Sequence, residues 1–142
     1  MRGIAFNPCF VNEAGNDLIP GKIHTIRQNY EYWKRYEGKE VALFTWEGKP
    51  YRSKQKIFCV KRIVSVQVIK FVVDSDIPAF WFEFNGEKIK LSKNDGFEKY
   101  SDFITWFTKG VLQGYYKRNS EMAILHFTDF RYGGNHDVSL RV

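Results

Sequence analysis

Residues 56–73 form a run dense in Ile, Val and Phe with charged side chains interspersed. The run is too long for one straight strand, so it must bend or bulge, and Arg62 or Gln67 is the expected place. Strand curvature of that kind favours a small barrel. Ahead of the run, Glu40-Val41-Ala42-Leu43-Phe44-Thr45-Trp46 is rich in strand formers, and Glu47-Gly48-Lys49-Pro50 supplies a turn after it. Behind it, Phe80-Trp81-Phe82-Glu83-Phe84 and Glu87-Lys88-Ile89-Lys90-Leu91 flank Asn85-Gly86. That dipeptide is the strongest short hairpin signal, because both turn positions need positive φ.

Helices are fewer. Ser101 precedes Asp102-Phe103-Ile104-Thr105-Trp106-Phe107, with an acidic first turn and Gly110 placed to stop it, and its apolar face should cover one end of the barrel. Residues 28–36 form a second, short helical candidate without a clean period. Residues 122–132 read as a last strand, with Ala123, Leu125, Phe127 and Asp129 on one face and Ile124, His126, Thr128 and Phe130 on the other, before Gly133-Gly134 frees the tail. The expected class is α+β and strand-dominated, a small β-barrel with one or two covering helices.

Composition bounds the rest. A chain of 142 residues and 16.8 kDa has room for one domain, expected over residues 1–142, and 18% aromatic content excludes a disordered chain. No apolar stretch approaches a membrane span, and the N-terminus runs into Asn7-Pro8 without a signal-peptide core, so no membrane partner and a cytoplasmic location are expected. Cys9 and Cys59 have neither disulfide nor zinc-knuckle spacing and read as reduced core thiols.

The net charge of +6 is unevenly placed. Residues 1–48 carry six basic and six acidic groups, and residues 74–142 carry nine and ten. The excess lies in residues 49–73, where Lys49, Arg52, Lys54, Lys56, Lys61, Arg62 and Lys70 are accompanied by no Asp or Glu. A one-signed segment attracts a polyanion, nucleic acid being the commonest case. It also describes a strand edge kept basic to prevent edge-to-edge pairing.

The segment Pro20-Gly21-Lys22-Ile23-His24-Thr25-Ile26-Arg27 concentrates an ammonium, a hydroxyl and a guanidinium. With the chain turning at Lys22 and extending after Thr25, Lys22 and Thr25 lie close and Arg27 points the same way as Thr25. A lysine so placed eases alkoxide formation or takes the hydroxyl proton, and a guanidinium holds a carbonyl, oxyanion or phosphate. The alternative is a basic turn leading into a strand. Elsewhere, Asp95-Gly96 is either a site carboxylate or a turn, and His126 in its apolar strand reads as structural. Tyr30, Tyr32, Trp33 and Tyr36, interleaved with Lys34 and Arg35, either stack on bases or form a lid on the core. No spacing fixes a metal site, and no cofactor is implied.

Lys22-x-x-Thr25-x-Arg27, followed by Lys93-Asn94-Asp95-Gly96-Phe97, an aromatic helix ending Trp106-Phe107, and Leu125-His126-Phe127-Thr128-Asp129-Phe130, together resemble the ASCH domain family over about residues 20–132. The family usually has Gly two residues before the lysine, where this chain has Pro20. The resemblance implies a PUA-like β-barrel that binds RNA or a modified nucleoside. Small bacterial members hydrolyse the acetyl amide of acetylcytidine with a Lys, a Thr and a Glu, which implies catalytic roles for Lys22, Thr25 and Asp95, the last one methylene short. Other members are ribonucleases, for which Lys22, Arg27, Lys54, Lys56 and Lys61 would bind phosphates while His24 or Tyr30 assists proton transfer. A protein-binding adaptor using its aromatic surface is the reading that needs neither site.

Overall fold

The computed structural model describes residues 1–74, 79–117 and 119–133. In chain order its elements are β1 (Arg2–Ala5), a 3-10 turn (Pro8–Phe10), β2 (His24–Gln28), α1 (Tyr30–Lys34), β3 (Glu40–Trp46), β4 (Gln55–Arg62), β5 (Ser65–Asp74), β6 (Ala79–Phe84), β7 (Glu87–Ile89), α2 (Tyr100–Leu112) and β8 (Ser120–His126). The class is strand-dominated α+β. The strands form two sheets, β1-β3-β4 and β2-β8-β5-β6-β7, and no closed ring of hydrogen-bonded strands forms among the described residues. β1 runs parallel to β3; all other pairings are antiparallel.

The long run at 56–73 bends by changing sheets. Ile63 exchanges backbone bonds with Gly38 and Lys39 beside β3, whereas the next residue, Val64, donates to His126 O in the other sheet at 2.8 Å. The break thus falls one residue after Arg62, while β5 passes Gln67 in unbroken register with β8. A bulge lies upstream: Leu43 pairs with Cys59 but Phe44 with Ile57, leaving Phe58 as the extra residue that bends β4.

β8 explains how one small chain carries two cores. Met122 to His126 are all buried, and alternation sends Ala123 and Leu125 to one side and Met122 and Ile124 to the other. The first pair packs with Ile4, Val41, Leu43 and Trp33; the second with Ile69, Phe71, Phe103 and Phe107 of α2. The five-stranded sheet therefore lies between the three-stranded sheet and α2, a layered arrangement that buries both faces of β8.

Local chemistry accounts for the hairpins and helices. Asn85 and Gly86 have φ of 51° and 82°, as a two-residue turn joining β6 and β7 requires. α1 is capped by Asn29, whose side chain accepts from Tyr32 N. α2 starts two residues earlier than its sequence suggests, after Lys99, so Ser101 lies inside it. Nor does Gly110 stop it. The helix continues to Leu112, and Gly110 is buried within it because a β-carbon there would overlap the Tyr116 ring. The last strand is shorter than the pattern at 122–132 suggests: after His126 the chain turns, which brings Tyr132 back under the sheet. Gly133 has φ of 90°, and Gly134 with the tail lies outside the described residues. The two cysteines are free thiols, yet Cys9 is exposed and Cys59 half-buried, so neither is a fully buried core thiol. No helix is long and apolar enough to cross a membrane among the described residues.

Phe107, 1% exposed and in ring contact with Phe71, Phe82, Phe103 and Tyr116, anchors α2. Phe107→Ala should lower the unfolding free energy by roughly 3–5 kcal/mol in a denaturant titration. Gly110→Ala should also destabilise, although alanine favours a helix by about 1 kcal/mol over glycine; a gain in stability would show that Tyr116 does not pack where described.

Candidate functional site

The site is built where β2 begins. The turn before it is closed by Lys22 N donating to Ile19 O, with Gly21 at φ 91°. Ile23 N then bonds Asn94 O at 2.9 Å, and Phe127 N bonds Ile23 O, so the start of β2 is stitched between residues 92–97 and the end of β8. Along β2, His24 and Ile26 face the α2 side, while Thr25 and Arg27 face the three-stranded sheet, opposite Leu125 and Ala123. The shared face expected for Thr25 and Arg27 is observed: Arg27 Nη1 donates to Thr25 Oγ1 at 2.8 Å.

Asp95 sits in a turn whose backbone is already satisfied, with Asp95 N, Gly96 N and Phe97 N donating to Leu91, Lys93 and Ser92 carbonyls. Its carboxylate is free for another task. Lys22 Nζ donates to Asp95 O at 2.7 Å and to Asp95 Oδ1 at 3.1 Å, with both side chains under a tenth exposed. Gly96 makes this possible twice over: its φ is 95°, and a β-carbon there would stand 3.0 to 3.2 Å from the Lys22 stem. The ammonium also lies 4.5 Å above the Phe10 ring. Burial pushes the Lys22 pKa down, with Arg27 adding to it and Asp95 opposing. For Asp95, burial acts upward, but the Lys22 ammonium and His24 outweigh it and hold the carboxyl below its usual range.

Arg27 completes the site from the other side. Its Nη2 donates to Ala5 O at 2.7 Å, Nη1 also donates to Ile26 O at 3.0 Å, and the guanidinium lies 5.0 Å from the Phe6 ring. Among the described residues no carboxylate lies within ion-pairing distance of it. Lys22, Thr25, Arg27 and Asp95 line one cleft of about 50 Å³, walled by Phe6, Phe10 and Trp106. Phe10 and Trp106 also border a wider groove of about 360 Å³ that includes Cys9, Gly96, Phe97 and Lys109. The cleft admits one small polar group, and the groove reaches the lower end of the range for ligand-sized pockets, about 300 Å³.

His24 is fully buried beneath this cleft and is not part of its lining. Its Nε2 lies 2.7 Å from Tyr132 Oη, which accepts from Asn94 Nδ2 at 3.1 Å. Burial favours the neutral ring, whose other nitrogen, Nδ1, faces Asp95 Oδ1 at 3.4 Å. His126 lies beside it and donates from Nε2 to Gln67 Oε1 at 2.8 Å, leaving its buried Nδ1 without a partner among the described residues. Burial, with His24 and Arg131 adding to it, pushes the His126 pKa down to about 3.

The other sequence candidates lie elsewhere. Tyr30 is half-buried against the first core at the start of α1. Trp33 is buried, and Arg2 and Arg35 lie over the Tyr32 ring, so the aromatic cluster is largely occupied by its own chain. Lys54 precedes β4 and Lys56 lies on it, both exposed, while Lys61 pairs with Asp17 at 3.0 Å. Sequence reading missed Phe6, Phe10, Asn94 and Tyr132. Asn7-Pro8 does signal a turn, and Asn7 Oδ1 accepts from Cys9 N, but nothing local places Phe10 over Lys22. Compared with known proteins, the chain matches no family model, no curated protein and no solved structure.

Two measurements check this arrangement. Asp95→Ala should cost roughly 3–5 kcal/mol by stranding a buried ammonium, whereas Lys22→Met with Asp95→Leu should recover most of that loss; equal losses in both would mean the charges themselves hold the fold. Stability should also fall on acidification. The unfolded chain protonates its histidines near pH 6.5 while His126 stays neutral in the folded state until about pH 3. The unfolded state therefore binds more protons in that window, and stability drops as pH falls through it, by up to about 1.4 kcal/mol per pH unit for the residue. Denaturation midpoints for the parent and His126→Gln should diverge in slope across the window; parallel curves would contradict the buried, unpartnered nitrogen.

Proposed function

We propose that this cleft recognises a pyrimidine nucleoside, modified or within RNA, by the acceptor-rich edge of its base. The observation that carries the reading is Arg27: a guanidinium at the cleft, held by Ala5 O and Thr25 Oγ1, with no carboxylate beside it among the described residues. The donor set suits carbonyl and ring-nitrogen acceptors. Two of the three Lys22 N–H groups are spent on Asp95, leaving one, and Thr25 accepts from Arg27, leaving its own proton to give. Phe10 and Trp106 offer ring surface where the cleft meets the groove. The ASCH-like order of Lys22, Thr25, Arg27 and Asp95 supports the same reading, as does the strand-dominated fold, which would correspond to the PUA-like barrel in opened form.

Hydrolysis of an N-acylated cytidine is a second reading, favoured by the burial that lowers the Lys22 pKa toward that of a base. In molecules whose Lys22 has given up its ammonium proton, Thr25 Oγ would attack the acyl carbonyl as the neutral amine takes the hydroxyl proton. Arg27 would hold the oxyanion, the proton would pass to the departing amine, and water would then release the acyl group from Thr25. Ribonuclease chemistry draws less support, since His24 is enclosed and bound to Tyr132.

Calorimetric titration with cytidine and acetylcytidine tests the reading. Arg27→Ala should weaken binding at least about tenfold, as expected for a lost hydrogen bond to a charged group. Undiminished affinity in Arg27→Ala would overturn it. If the site also turns over acetylcytidine, Thr25→Ala should abolish the reaction while weakening binding less than Arg27→Ala does, and Asp95→Glu should raise the rate.

A further inference from the structure

The one-signed charge of residues 49–73 is only partly one-signed in space. Lys61 pairs with Asp17, Arg62 Nη2 lies 3.6 Å from Glu40, and register places Lys70 opposite Glu83 and Glu121. Lys49, Arg52, Lys54 and Lys56 remain, all exposed and none in an ion pair among the described residues. They are gathered on the β3–β4 hairpin, where Glu47 is the one carboxylate. The loop is ordered rather than slack: Glu47 N bonds Lys54 O, Arg52 N bonds Lys49 O, and Ser53 Oγ accepts from Gly48 N and donates to Lys49 O.

At its tip Tyr51 is 89% exposed. Its φ is 63°, a left-handed conformation that a non-glycine residue adopts at a cost in free energy. The ring rests 5.2 Å from Trp46, whose ring in turn meets the edge of Phe44 at 5.2 Å. The hairpin begins close to the cleft, since Phe44 pairs with Ala5 and accepts from Phe6 N, both residues of the cleft lining. Edge protection explains Lys56 on β4. It does not explain cations in the turn, or an aromatic held outward between them.

We propose that the β3–β4 hairpin is a landing site for single-stranded nucleic acid, with Lys49, Arg52, Lys54 and Lys56 taking phosphates and Tyr51, backed by Trp46, stacking on a base. Cations that track a backbone and an aromatic that accepts any base are the two parts such sites combine. The inference extends the cleft reading from a nucleoside to a nucleotide within a strand, and rests on it for the ligand of the cleft.

The test compares a short single-stranded oligoribonucleotide containing cytidine with free cytidine, using the full chain. Joint replacement of Lys49, Arg52, Lys54 and Lys56 by Gln should weaken oligonucleotide binding and flatten the dependence of log affinity on log salt by about 0.7 for each phosphate no longer neutralised. Tyr51→Asn, which tolerates the left-handed backbone, should weaken it by roughly tenfold. Neither change should alter the affinity for free cytidine. Parent-like affinity and salt slope in the quadruple variant would overturn the proposal. So would weakening in that variant with none in Tyr51→Asn, which marks a patch for any polyanion. Hairpin-dependent oligonucleotide binding in a protein that does not bind free cytidine would uphold the hairpin and sink the cleft reading.

Discussion

An ammonium and a carboxylate removed from water are costly unless they are paired, and Lys22 pairs with Asp95 by one donation to its carboxylate and a second to its backbone carbonyl. The pair ties the turn before β2 to the loop 92–97, the two segments that decide where Thr25 and Arg27 begin. Gly96 is the geometric condition for it, because any side chain there would press on the Lys22 stem. The aromatic walls follow: Phe10 lies over the ammonium, and Phe6 lies under both cations.

Around this pair, strand alternation divides the labour. Thr25 and Arg27 turn to the cleft, while His24 turns inward to Tyr132 and joins a polar layer with buried His126 and half-buried Gln67 and Asn94. Within that layer His24 Nδ1 lies 3.4 Å from the same Asp95 oxygen that Lys22 uses. The cleft is then left with two cations against one carboxylate, a local excess of positive charge. The base of the β3–β4 hairpin adjoins the same end of β1, where Phe44 pairs with Ala5.

Much of this was legible where the signal is local. Asn85-Gly86 specifies its hairpin through backbone conformation alone, Glu40–Trp46 is a strand as its composition implies, and the i, i+2 spacing of Thr25 and Arg27 is enough to put them on one face. What was not legible depends on neighbours distant in sequence. The sheet change at Ile63 and Val64 is set by which partners their backbones find, Lys39 and His126. Gly110 reads as a stop signal until the Tyr116 ring is seen against it. A charge count along the chain cannot know that Asp17 and Glu40 reach Lys61 and Arg62. Asp95 shows the same limit: the sequence offers a turn residue or a site carboxylate, and only Lys22, brought from 73 positions away, decides which task its oxygens perform.

The cleft depends on Lys22 and Asp95 being charged together in the interior, so the titration of Asp95 itself is the most direct measurement. Carbon-13 NMR of its carboxyl, followed through acidification, should show the group remaining ionised below the ordinary aspartate value of 3.8, and Lys22→Met should move its titration upward. A carboxyl that titrates at or above the ordinary value, indifferent to Lys22, would contradict the pair on which the cleft depends.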